Sequence, residues 1–213
     1  MFKFNKIVIQ LILLFLFAST NFAQSEHFNK SVYVIDNYLT SSQFYRIRIT
    51  EGELAAIDSL YAFALKYFDE DVSETLLSLT FALLPFDKIE IINGLNLQLP
   101  TVDSLLFVKR NESLPSNFLP DSPMNKRSDT DKLSHFFGNA FVSYNLNFSN
   151  IQEFLGLFVE AFEYNFKVNG AFDKRDLEVN RYGKLFGILL KSGKKYFPSD
   201  IFVLYSLKFM ELP

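Results

Sequence analysis

Hydrophobic and polar positions change their spacing several times along the chain, and each change predicts an element. Residues 30–39, "KSVYVIDNYL", and 44–50, "FYRIRIT", are rich in β-branched and aromatic side chains and predict two short strands. Between Tyr45 and Ile49 apolar residues alternate with Arg, as on a half-exposed strand. Leu54, Ile57, Leu60, Tyr61, Ala64 and Leu65 then recur at helical spacing and predict an amphipathic helix over 54–68. Thr50 and Glu53 offer it a capping box. A second helix is predicted over 73–83, ending before Pro85. Residues 88–99 alternate on either side of Asn93-Gly94, the pair preferred in a type I′ hairpin turn.

Residues 100–131 lose periodicity and hold four of the seven prolines, with room for one short strand over 105–108. This stretch separates an N-terminal region, 24–127, from a helical region, 128–192. Three helices are predicted there, over 132–146, 150–167 and 175–190, the last capped by Asp173 with Asp176 at the capping-box position. In the tail, 193–213, Ile201, Val203, Tyr205 and Leu207 would share one face of a strand; a short helix is the competing reading. The expected class is α+β, mainly helical: N-terminal helices with short strands and a hairpin, then a C-terminal three-helix bundle.

The N-terminus adds a location. Lys3 and Lys6 precede an apolar run over 7–18, broken only by Gln10, and small residues follow to Ala23. That is the layout of a secretory signal peptide over 1–23, cleaved before Gln24. The run is shorter than the roughly 20 residues of a membrane span, and an uncleaved anchor is the alternative. Without residues 1–23 the formal charge shifts from −3 to −5, which disfavours nucleic acid as a partner. The chain has no Cys, so neither a disulfide nor a lipidated cysteine is available, and the core must carry stability alone. With 26 Phe and 49% hydrophobic residues, that core can be large.

Candidate chemistry sits in three helical stripes. Asp131, His135, Gly138 and Asn139 line up on the first C-terminal helix. Gly156, Glu160, Glu163 and Lys167 do so on the second, and Asp176, Asn180, Gly183 and Gly187 on the third. Each stripe joins small residues, which let backbones approach, to carboxylate, amide or imidazole groups. The segments "DKLSHFFGNAFVSY", "GLFVEAFEY" and "FDKRDLEVNRYGKLFG" together resemble the YfiM/VanZ-like group of bacterial envelope proteins. The shared features are D-K-x-x-H-F, G-x-x-x-E and D-x-x-x-N-x-x-G-x-x-x-G, and the resemblance covers 131–190. It implies a helical fold and a place in the periplasm or at a membrane face, with a membrane surface or another envelope protein as partner. It implies no reaction.

Two readings of the stripes compete. In one, Asp131, His135, Glu160, Glu163, Asp176 and Asn180 form a structural cluster that fixes helix register and needs no cofactor. In the other, His135, Glu160 and Asp176 hold a divalent metal for hydrolysis or transfer on an envelope lipid or glycan. One His with several carboxylates suits Mn, Fe or Mg better than structural zinc. No phosphate loop, nucleophile elbow or H-E-x-x-H motif points elsewhere.

Overall fold

Ser31, Val32, Ile35, Asp36, Tyr38 and Leu39 are buried, while Tyr33 and Asn37 face solvent. That spacing belongs to a helix, and the segment is helix α1, Phe22–Leu39. The computed structural model describes residues 22–92, 95–98, 104–124, 128–145 and 174–210. Residues 1–21 of the predicted leader over 1–23, the Asn93-Gly94 turn, the helix over 150–167 and the Asp173 cap lie outside these residues.

The α+β expectation is overturned: the described residues are mainly helical, and the strands expected over 30–39, 44–50, 105–108 and in the tail are helices. Where a strand was expected over 44–50 there is helix α2, Ser42–Glu51. Its Phe44, Ile47 and Arg48 share the inner face, and Ser41 caps it by accepting from the Phe44 N–H at 3.1 Å. The two arginines that mimicked strand alternation lie on different sides: Arg46 is exposed and Arg48 half-buried. Helix α3, Glu53–Tyr67, starts after Gly52 without a side-chain cap, so the Thr50–Glu53 capping box does not form. Thr50 instead donates to the Arg46 carbonyl within α2, and Glu53 accepts from Arg48 at 2.7 Å. Gly52 has φ +96°, a conformation that lets two helices abut with one residue between them.

Helix α4, Val72–Ala82, is capped by Asp71, which accepts from the Glu74 N–H at 2.9 Å. Segments β1, Lys88–Ile92, and β2, Leu95–Gln98, pair only with each other in an antiparallel ribbon. Lys88 lies opposite Gln98 and the register shifts between Glu90 and Ile92. Among the described residues no layer of the fold is built on this ribbon. Residues 105–108 fall inside helix α5, Ser104–Ser113, not in a strand. Helices α6, Lys132–Asn145, and α7, Lys174–Leu190, follow. The tail is helix α8, Pro198–Ser206, with a single 3₁₀ turn after it, Leu207–Phe209. Pro198 suits a first helical position, and burial falls on Ile201, Phe202 and Tyr205. Val203 and Leu207, assigned by strand alternation to the same face, are exposed.

Helix α6 is buried nearly all round and packs most extensively on α7 and then α4. Its Phe136 meets Phe186 of α7 at 5.2 Å and Phe202 of α8 at 4.7 Å between ring centres. Tyr61 of α3 closes the cluster against Phe186 at 5.4 Å. Burial of these rings together with Leu, Ile, Val and Ala side chains is the driving force left to a chain without disulfides.

Candidate functional site

The site lies where the first turns of α6 and α7 meet. Two glycines set that approach. A Cβ at Gly183 would fall on the carbonyl oxygen of Phe136, and one at Gly187 on that of Ala140 and on Ser143 Oγ. Only hydrogen fits there. Ser143 Oγ also donates to the Lys184 carbonyl at 3.0 Å, stitching the two helices further along.

At the near end, the buried Lys132 ammonium reaches both Asp131 carboxylate oxygens at 3.1 Å and Asp176 Oδ1 at 2.6 Å. Burial pulls the Lys132 pKa down, but the two carboxylates outweigh it and hold the ammonium above its ordinary value. His135 is almost fully buried one turn on, its Nε2 3.9 Å from Asp176 Oδ1. Burial lowers its pKa, against the pull of Asp176 and Asp131, so the ring is neutral near pH 7.

The ring's tautomer follows from a chain of hydrogen bonds. Asn139 Nδ2 donates to the His135 carbonyl at 2.9 Å, and a carbonyl only accepts, which fixes the Asn139 amide. The same nitrogen meets Asn180 at 2.8 Å, so Asn180 must present its oxygen there. That oxygen lies 3.1 Å from His135 Nδ1, which must therefore carry the hydrogen. The neutral ring then turns the lone pair of Nε2 toward Asp176.

Asp131, His135 and Asp176 offer ligand atoms all within 4.8 Å of one another. Both carboxylates keep partial access to solvent, with side-chain exposures of 30% and 18%. The structure thus brings together Asp131, His135, Asp176 and Asn180, with Gly138 buried in the same helix and Gly183 and Gly187 at its contact with α7. Glu160, Glu163 and Gly156 lie outside the described residues.

Sequence reasoning assigned no role to several residues the geometry makes central. Lys132 stands inside the D-K-x-x-H-F motif, and a lysine in the first turn of a buried helix is the signal that could have marked it. Asp129 is fully buried and accepts from the Phe118 and Leu119 N–H groups at 2.8 and 3.1 Å and from Ser122 and Arg175. Arg175 also lies 3.5 Å from Asp121, which accepts from Tyr205 at 2.8 Å. This network binds the 114–131 connection to α7 and α8. A third buried pair joins Asp36 of α1 to Arg110 of α5 at 3.5 Å. Burial pushes the Asp36 carboxyl up to about 7, Arg110 offsetting part of the rise. Among the described residues no helix is long and apolar enough to cross a membrane.

No family model, curated protein or solved structure matches this chain.

Proposed function

We propose that the chain is a non-catalytic scaffold or binding module of the bacterial envelope, in which the polar cluster holds α6 and α7 in register. The observation that carries this reading is the position of Lys132. Its ammonium sits between Asp131 and Asp176, where a bound cation would otherwise balance their charge. A buried ion pair with matched hydrogen bonds specifies one arrangement of two helices more than it adds stability. Export rests on the leader-like N-terminus, and the envelope on the resemblance over 131–190.

The second reading, a metal-assisted hydrolase or transferase acting on an envelope lipid or glycan, draws on the Asp131–His135–Asp176 group. It requires Lys132 to swing aside. Thermal melts of the full chain with a chelator, then with Mn, Fe, Zn or Mg, separate the two. The scaffold reading expects one midpoint throughout. A midpoint that drops with chelator and recovers with a single metal replaces it with the enzyme.

A further inference from the structure

The charge of the chain is unevenly placed. Residues 174–210 carry eight Lys or Arg against three Asp or Glu, in a chain of formal net charge −3. The same segment leaves large apolar side chains in water: Val203 and Leu204 on α8, Leu207, Phe209 and Met210 after it, and Ile188 on α7. The two sets belong to one hairpin of helices. Lys208 pairs with Glu178 at the start of α7, and Tyr205 meets Tyr182 at 5.1 Å, so the end of α8 lies beside the beginning of α7. Glu178, Arg181, Tyr182, Leu185 and Lys208 line a groove between them, Glu178 pairing with Arg181 as well. At the opposite end the exposed Lys191, Lys194 and Lys195 join the helices.

We infer that the α7–α8 hairpin is a docking face for an anionic lipid surface. Several exposed aliphatic and aromatic side chains flanked by lysines are what an interfacial helix needs: the apolar groups enter the acyl boundary while the cations meet lipid phosphates. Charge complementarity selects this occupant over an apolar partner, because a second copy would set one lysine-rich face against another. The inference extends the scaffold reading by naming the partner, and rests on it only for the envelope location.

The absence of cysteine makes the test direct. A single Val203→Cys substitution in the full chain takes a polarity-sensitive fluorophore on the proposed face, and Asn37→Cys takes it on α1. Each labelled protein is mixed with phosphatidylcholine vesicles, with or without about one-third phosphatidylglycerol and with brominated acyl chains as quencher. Because the probe reports from its own position, any membrane affinity of residues 1–21 does not imitate the result. The expected result is quenching at position 203 on anionic vesicles only, lost as salt rises, with position 37 unchanged. Adding Lys194→Glu with Lys195→Glu weakens the response by at least about fivefold for each lysine removed. Several outcomes overturn the proposal: no quenching at position 203, equal quenching on neutral vesicles, or a probe shift without lipid that grows with protein concentration. The last assigns the face to a second copy. Each leaves the metal-dependent melts unaffected, so the two proposals fail separately.

Discussion

Lys132 decides what the cluster at the head of α6 is. Replacing it with Met keeps the length of the side chain and removes the ammonium, leaving Asp131 and Asp176 to face each other. Breaking a buried pair from one side costs about 3–5 kcal/mol, because the remaining charge has lost its counterpart. Urea unfolding at pH 7 should show that loss, and a loss under about 1 kcal/mol would mean that the ammonium is not what holds the two carboxylates. Asp36 can be followed by titration. Its folded carboxyl is raised to about 7 from an ordinary 3.8. The folded state therefore holds this proton more tightly than the unfolded chain, and the stability it contributes falls as pH rises from about 4 to about 7. Wild type should lose melting temperature relative to Asp36→Asn across that window. A gap that moves the other way would mean that Arg110 keeps the carboxylate ionised.

At the scale of elements, the α6–α7 contact depends on two hydrogens. Helix propensity alone makes Gly183→Ala stabilising by about 1 kcal/mol. The steric argument gives the opposite sign, since the new methyl meets the Phe136 backbone and can be relieved only by parting the helices. We expect a loss of about 1–3 kcal/mol by chemical denaturation, with the exposed Lys184→Ala on the same helix near neutral. This contact was legible in the sequence as Gly183-x-x-x-Gly187, because close helix packing needs small residues at a fixed spacing. The N-terminal elements were not legible in the same way. Val32, Ile35 and Leu39 carry a helical period, but Val34 and Tyr33 between them favour a strand by type, and burial overrode propensity. Arg46 and Arg48 imitated alternation over too few residues to separate a period of 2 from one of 3.6. The tail misled for the same reason, since Ile201, Val203, Tyr205 and Leu207 fit a strand until Phe202 is known to be buried. Of the cluster, Asp131, His135, Asp176 and Asn180 could be read from their stripes. Lys132 carried a weaker signal, its place in the first turn of an apolar helix, masked because a charge beside another charge looks like a solvated helix end.

For the whole molecule, Asp129 is the point where the irregular 114–131 connection is fastened to the helices. It receives two backbone N–H groups, Ser122 and the Arg175 guanidinium, so Asp129→Ala leaves several buried donors unmet at once. The loss should be about 3–5 kcal/mol, and limited proteolysis should cut first within 114–131. Cleavage that begins elsewhere, with 114–131 intact, would place the weak point of the fold outside this connection.

The placement of α8 has a consequence in time. Asp58 of α3 accepts from the backbone N–H and the hydroxyl of Ser199, at 2.9 and 2.5 Å across 141 positions of sequence. Phe202, fully buried, touches Phe118 and Phe136. A ribosome releases α8 after α1 to α7, so a nascent chain holding only those helices still lacks the piece that seals its centre. Closing so distant a loop is slow, and the growing polypeptide stays loose and open to chaperones until α8 emerges.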